Sequence, residues 1–221
     1  MLSYPDRDML AIDLANQLLD DLSAALDRQD RVGFAVPGGK TPGPVFDMLS
    51  NASLDWARVD LWLTDERWVP EDHPRSNAAL VRARLLTGKA SQARFTGFYT
   101  HGTDPDAAAA TLSVEIMSSL PLSVVLLGMG ADMHTASLFP RTPGLEEALA
   151  PHAPPVMAMD PAGQADARIS LSAPVLTGAD ACHLMIAGDD KRAALERAEH
   201  ADPLEAPVRA VLDAALVHWS P

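Results

Sequence analysis

The chain has 221 residues, of which 48% are hydrophobic and 21% charged, and its formal net charge is -13. This composition predicts one globular domain over residues 1–221 with a substantial buried core. The negative charge argues against nucleic acid and acidic membrane surfaces as partners, because both are polyanions. No apolar run reaches the roughly 18 residues that a membrane span needs, and the N-terminus lacks a secretory pattern, so we expect a cytoplasmic protein.

The first half of the chain alternates between helical and strand patterns. Apolar residues recur at a period of about 3.6 between Asp8 and Arg28, which predicts an amphipathic helix. Short runs of strand-forming residues predict strands at 32–36 and 59–63, with a short helix at 44–49 between them. Capping residues then predict helices that begin at Ser76 or Asn77 and at Asp104.

The second half continues the same order after a strand at 122–127. A proline-rich stretch at 151–163 is predicted as loop, and it is followed by an extended segment at 168–171 and a short helix at 172–178. A strand at 183–187, helices at 189–198 and 207–214, and a terminal edge strand at 216–219 complete the prediction. Strands alternating with helices predict an α/β fold, with a mostly parallel sheet covered by helices on both faces in three layers.

Four polar or glycine-rich segments each come directly after a predicted strand. Their sequences are PGGKTP (37–42), TDERWVP (64–70), GMGADMH (128–134) and GDDK (188–191). In a parallel sheet the carboxyl ends of the strands lie at one edge, so we expect these segments to converge there.

The glycines and basic residues of these segments favour an anion site. Gly38 and Gly39 can adopt positive φ and turn backbone N–H groups toward a phosphate, with Lys40 beside them. The spacing does not fit a nucleotide P-loop, because Gly33 is one residue out of register. Lys191 lies in the first turn of a predicted helix, where the helix dipole opposes a cation, so a bound anion is one explanation and simple solvation the other.

The GMGADMH segment supplies the candidate proton carrier. Of all side chains, histidine has the unperturbed pKa nearest neutrality, which makes His134 the candidate, and Asp132 lies two residues before it. Met133 stands where a dinucleotide fingerprint needs its third glycine, so no nicotinamide cofactor is predicted. The single cysteine, Cys182, lies in an apolar segment and is predicted to be core, and no Cys/His cluster indicates a metal.

Taken together, these motifs resemble the 6-phosphogluconolactonases, which are related to glucosamine-6-phosphate deaminase. The resemblance covers nearly the whole chain through GGKTP, LTDERWVP, LLGMGADMHTASLFP, RISLS and GDDK, in that order. It implies a modified Rossmann-like α/β fold, no cofactor, and hydrolysis of 6-phosphoglucono-1,5-lactone to 6-phosphogluconate. The expected partner is therefore a small phosphorylated sugar lactone, and we expect a monomer or weak homo-oligomer.

The resemblance also implies roles for individual residues. His134 matches the general base, Asp65 and Arg67 match an active-site pair, and Asp132 matches the acidic residue of the histidine motif. The positions expected to bind the sugar phosphate are Gly38, Gly39, Lys40, Thr41, Arg168 and Lys191.

Two positions depart from the family pattern, and two other functions stay open. Met133 replaces the usual glycine, which would strain the backbone if φ is positive there, and Pro37 replaces a frequent serine and removes one N–H. The deaminase branch carries a glutamate five residues after the histidine, where this chain has Phe139, so hydrolysis is favoured over isomerisation. A non-catalytic sugar-phosphate sensor would need a DNA-binding segment, for which no basic helix pair is present.

Overall fold

The structure is a computed structural model that describes residues 1–161 and 163–221. Its strands are β1 (Leu2–Ser3), β2 (Val32–Val36), β3 (Val59–Leu63), β4 (Asp65–Arg67), β5 (Arg94–Phe95), β6 (Val124–Gly128), β7 (Val156–Met159), β8 (Arg168–Leu171), β9 (Ala181–Ala187) and β10 (Ala215–Ser220). Its helices are α1 (Arg7–Leu26), α2 (Gly43–Ser50), α3 (Asn77–Arg84), α4 (Pro105–Ile116), α5 (Leu145–Leu149), α6 (Ala173–Thr177), α7 (Asp189–Ala198) and α8 (Arg209–Leu212).

Seven strands form a parallel sheet in the order β1-β10-β9-β6-β2-β3-β5. All five residues of β2 and of β3 are buried, as expected for strands covered by helices on both faces. The predicted α/β fold with a mostly parallel sheet is thereby confirmed. The terminal strand is not at the edge as predicted, because β1 pairs with β10 and takes the edge position itself.

A second, antiparallel sheet of three strands, in the order β4-β8-β7, was not predicted. The TDERWVP segment was expected to be a loop, but residues 65–67 form β4 and pair with β8. The proline-rich stretch 151–163 was also expected to be loop, yet Val156–Met159 form β7. Residue 162 of that stretch lies outside the described residues. β4 consists of three charged residues, so its strand conformation depends on pairing with β8, about 100 residues later in the chain, rather than on local pattern.

Three helices begin directly after a residue whose side chain caps the first turn. The side chain of Asp6 accepts a hydrogen bond from the N–H of Met9 at the start of α1, and Ser76 and Asp104 cap α3 and α4 in the same way. Helix α1 buries one apolar stripe, which consists of Leu10, Ala11, Leu14, Ala15, Leu18, Leu22, Ala25 and Leu26. That stripe packs on α2 and on the strands β2, β6 and β10 of the large sheet.

Among the described residues, no helix combines the length and the apolar character needed to cross a membrane. Cys182 is buried in β9, as predicted, and burial raises the pKa of its thiol to about 12. A thiol of this kind stays protonated and unreactive at neutral pH.

Candidate active site

The loops that follow β2, β3, β6 and β9 converge at the carboxyl edge of the large sheet, as predicted. They surround a cavity of about 340 Å³. Nine of the ten candidate residues line it, namely Gly38, Gly39, Thr41, Asp65, Arg67, Asp132, His134, Arg168 and Lys191. The tenth, Lys40, is exposed and does not line the cavity. The structure therefore brings together residues that lie more than 150 positions apart in the chain.

His134 and Asp132 form a pair at the cavity wall. The Nδ1 atom of His134 lies 2.5 Å from Oδ1 of Asp132, and the imidazole is partly exposed. Burial would raise the pKa of Asp132, but the hydrogen bond and charge attraction to His134 lower it overall. Asp132 therefore stays ionised and fixes a hydrogen on Nδ1, which leaves Nε2 as the nitrogen free to accept a proton.

Gly130 is required because the His134–Asp132 pair lies against its backbone. A Cβ atom at residue 130 would come within 2.1 Å of Nδ1 of His134 and 2.3 Å of Oδ1 of Asp132. The N–H of Gly130 also donates to the carbonyl of His134 at 2.9 Å. Gly130, the second glycine of GMG, is therefore needed for close packing. The partial match of this segment to a dinucleotide fingerprint did not predict that role.

The backbone on both sides of His134 is strained. Met133 has φ of 66° and Ala136 has φ of 48°, both in the left-handed region that non-glycine residues disfavour. The positive φ considered for Met133 is therefore present, at a cost of order 1 to 3 kcal/mol. The N–H of Val208 donates to the carbonyl of Met133 at 3.0 Å and helps to hold this conformation.

Asp65 is buried and holds two loops together. Its Oδ2 atom accepts a hydrogen bond from the hydroxyl of Ser137 at 2.6 Å, and its backbone carbonyl accepts one from the amide of Asn77 at 2.8 Å. Ser137 lies three residues after His134, so Asp65 ties the histidine loop to β4. This contact joins positions 72 apart in the chain.

Sequence reasoning did not single out Glu66 and Asn77 as site residues. The carboxylate of Glu66 accepts hydrogen bonds from the N–H groups of Arg67, Asn77 and Ala78. Burial raises the pKa of Glu66, and these N–H groups oppose that shift. Asn77 in turn accepts a hydrogen bond from the guanidinium of Arg67 at 2.8 Å. Glu66 and Asn77 thus orient Arg67, and the only sequence signal was an acidic residue ahead of a capping Ser-Asn pair.

Arg67 and Arg168 are directly opposite each other on β4 and β8. Side chains opposite each other in an antiparallel pair share a face, and like charges there are unfavourable. Burial lowers the pKa of Arg168, and the nearby charge of Arg67 lowers it further. The Nε atoms of both arginines are buried and have no hydrogen-bond partner among the described residues. An anion bound in the cavity would offset this concentration of positive charge.

The PGGKTP loop follows β2 and approaches the same cavity. Gly39 has φ of 89°, whereas Gly38 is required for space, since a Cβ there would come within 1.7 Å of Oδ1 of Asn77. In the described part of the chain, the N–H groups of Gly38 and Gly39 donate to no other group. On the far wall, Nζ of Lys191 donates to the carbonyl of Met129 at 2.6 Å. Both features favour an anion in the cavity.

Comparison with known proteins identifies the relatives of the chain. Residues 5–219 match the model of a family described as glucosamine-6-phosphate isomerases/6-phosphogluconolactonase. The chain belongs to this family. A 6-phosphogluconolactonase of Mesorhizobium japonicum is 40% identical over 99% of this chain and 94% of its own length, and one of Pseudomonas aeruginosa is 41% identical over 94% and 89%.

The family assignment agrees with the fold. A crystal structure of a 6-phosphogluconolactonase from Shewanella baltica covers 99% of this chain and 96% of its own, with a TM-score of 0.94 and 34% identity. The family, its Rossmann-like α/β fold and the enzyme class expected from the sequence are thereby confirmed. The roles of the individual family residues stay predictions, for which the geometry above supplies the argument.

Proposed function

We propose that the protein hydrolyses 6-phosphoglucono-1,5-lactone to 6-phosphogluconate, with His134 as the proton carrier. The observation that carries this proposal is that His134, Arg67 and Arg168 line one cavity. Among the described residues, Nε2 of His134 and the Nε atoms of both arginines have no hydrogen-bond partner. The imidazole supplies acid and base chemistry, and the arginines supply recognition of a phosphate. A phosphorylated lactone offers both an ester to hydrolyse and an anion to bind.

His134 acts in both halves of the reaction. In the first, Nε2 accepts a proton from water as the water oxygen bonds to the lactone carbonyl carbon. In the second, the imidazolium returns that proton to the ring oxygen as the carbon–oxygen bond breaks, which opens the ring to the acid. Asp132 stabilises the imidazolium between the two steps through its contact with Nδ1.

Arg67 and Arg168 hold the phosphate in this proposal. Their guanidinium groups are adjacent across the β4–β8 pair, so a dianion between them replaces repulsion by two charge-assisted interactions. The free N–H groups of Gly38 and Gly39 and the ammonium of Lys191 add further donors to the same cavity. Lys40 has no part, because its side chain is in solvent.

The test is hydrolysis of freshly generated phosphogluconolactone, followed by NMR with the spontaneous reaction subtracted. Arg168→Ala should raise KM by roughly tenfold or more with a smaller change in kcat, because a charge-assisted bond present before and during the reaction is lost. Lys40→Ala is the matched control and should leave KM unchanged. Equal hydrolysis of the lactone that lacks the phosphate would contradict the phosphate assignment.

The deaminase reaction of the family is not favoured. It needs a second acid beside the histidine, and the residue at that position, Phe139, has none. Ammonia should therefore not be released from glucosamine 6-phosphate in the same assay. We place the enzyme in the cytoplasm, acting as a monomer or weak homo-oligomer without nucleic-acid or membrane partners.

A further inference from the structure

Phe139 lies against the imidazole of His134. The centres of the two rings are 4.1 Å apart and their planes are inclined by 27°, which is a stacked arrangement. Phe139 is 8% exposed, so it is held firmly by its surroundings, and it lines the cavity. The two rings are therefore in direct stacking contact, and aromatic pairs of this kind are favourable beyond the area that they bury.

The same phenyl ring contacts a second group of the site. The guanidinium carbon of Arg168 lies 5.7 Å from the ring centre. This distance is within the range of a cation–π interaction. Phe139 therefore contacts both the proposed proton carrier and one of the proposed phosphate ligands, and it fixes them relative to one another.

Three contacts restrain the imidazole. Asp132 occupies Nδ1, the backbone of Gly130 lies against the Nδ1–Cε1 side, and Phe139 covers the ring face. The main chain is held as well, since the hydroxyl of Thr135 donates to the carbonyl of Gly128 at 2.9 Å. Among the described residues, no group forms a hydrogen bond with Nε2 of His134.

We infer that Phe139 is a positioning residue for the reaction, which stacks on His134 to direct Nε2 into the cavity and to stabilise the imidazolium formed there. This inference rests on the proposed function. The phenyl ring carries no exchangeable proton, so it acts through the side chains that it contacts. A π face stabilises a cation more than a neutral ring, so the contact strengthens as His134 takes up the proton.

The kinetic test compares Phe139→Leu with Phe139→Tyr. Leucine keeps an apolar side chain but removes the π face, so kcat should fall roughly three- to tenfold while KM changes by less than about twofold. Tyrosine keeps the ring and should restore most of kcat relative to the leucine variant. Phe98→Leu, at a fully buried position that does not line the cavity, is the matched control for core truncation and should leave kcat unchanged.

A spectroscopic test needs no turnover. The ring protons of His134 should show an upfield ring-current shift and cross-relaxation to Phe139 in the wild type and in Phe139→Tyr, and the shift should be lost in Phe139→Leu. Absence of the shift in the wild type would overturn the inference whatever the kinetics show.

The outcomes separate this inference from the proposed function. If His134→Asn is inactive while Phe139→Leu keeps its full kcat, Phe139 has no positioning role and the proposed function stands. If Phe139→Leu loses activity through KM alone, the ring serves substrate binding and the inference is likewise overturned. If His134→Asn keeps wild-type turnover, the proposed proton carrier is wrong and the inference about it falls with it.

Discussion

Among the residues that the structure describes there are two histidine–aspartate pairs, one in the cavity and one in the core. In the cavity, His134 contacts Asp132 through Nδ1 and its side chain is 28% exposed. In the core, His183 contacts Asp21 through Nε2 at 2.8 Å, its Nδ1 lies 3.0 Å from Nε2 of His218, and its side chain is 5% exposed. The first imidazole has one nitrogen available, whereas the second has none.

The core pair belongs to a longer chain of hydrogen bonds. His218 continues from His183 to the hydroxyl of Tyr4 at 2.9 Å, and that hydroxyl donates to Asp13 at 2.6 Å. Burial, and then the neighbouring charge of His183, lower the pKa of His218 to about 4. Burial and the carboxylate of Asp13 raise the pKa of Tyr4. This chain joins α1 to β9, β10 and the residue that follows β1, so its histidines stabilise the fold.

The feature that separates His134, the proposed proton carrier, from the structural histidine His183 is therefore the unused nitrogen and not the aspartate. A satisfied imidazole exchanges no proton with substrate without breaking a hydrogen bond of the core. The four predictions below test this difference, beginning with the largest effect.

The largest effect is expected from His134→Asn. Asparagine keeps polarity at this position but cannot carry the proton, so kcat should fall roughly 10²- to 10⁴-fold. The measurement is turnover of fresh lactone by stopped flow, after subtraction of spontaneous hydrolysis. His200→Asn, an exposed histidine outside the cavity, is the control and should retain full activity. Unchanged turnover in His134→Asn would remove the cavity pair from the mechanism.

The second prediction concerns acid stability. Because the pKa of His218 falls from 6.5 to about 4 on folding, the unfolded chain takes up the proton first as the pH falls. The stabilisation from neutral His218 is fully present above pH 6.5 and is lost toward pH 4, to a total of about 3 kcal/mol. Urea unfolding across this range should show the loss in the wild type and a flatter profile in His218→Leu. If the free energy of unfolding fell equally with pH in both proteins, this prediction would be wrong.

The third prediction concerns the other histidine of the core chain. His183→Leu keeps the volume but leaves Nε2 of His218 without its partner, so the free energy of unfolding should fall by about 1 to 3 kcal/mol. Because His183 does not line the cavity, kcat of the folded variant should equal that of the wild type. The comparison fails if kcat falls as far as it does in His134→Asn.

The smallest effect is expected from Asp132→Asn. Its carboxylate is half-exposed, so losing the charge beside the imidazolium should lower kcat by roughly tenfold, less than loss of the histidine itself. The variant should keep its stability, because the pair lies at the cavity wall and not in the core. A loss as large as that of His134→Asn would show that orientation by Asp132 is essential.

The sequence predicts the central strands of the large sheet and the convergence of the loops that follow them. The predicted strands 32–36 and 59–63 agree with β2 and β3 to the residue, because each is a run of five buried residues bounded by polar or proline positions. The rule that parallel strands end at one edge then predicts the convergence of the four loops, and the cavity confirms it.

The remaining features depend on pairing between distant strands or on an irregular turn. The DER segment forms a strand only because β8 pairs with it, and Glu66 is tolerated in its buried place because three N–H groups and the Ser76 hydroxyl meet its carboxylate. The stack of Phe139 on His134 depends on the turn with positive φ at Met133 and Ala136. Periodicity and spacing report regular helices and strands, and they report neither these long-range pairings nor the irregular turn that brings Phe139 against His134.

The face-to-face arginines of β4 and β8 have a consequence for how occupancy of the cavity can be measured. Without an anion, Arg67 and Arg168 weaken the fold by their mutual repulsion. A bound phosphate removes that penalty and adds binding energy to the native state alone, about 2.7 kcal/mol when its concentration is one hundred times Kd. The melting temperature measured at increasing concentrations of inorganic phosphate therefore reports phosphate binding at the arginine pair, and the measurement requires no reaction.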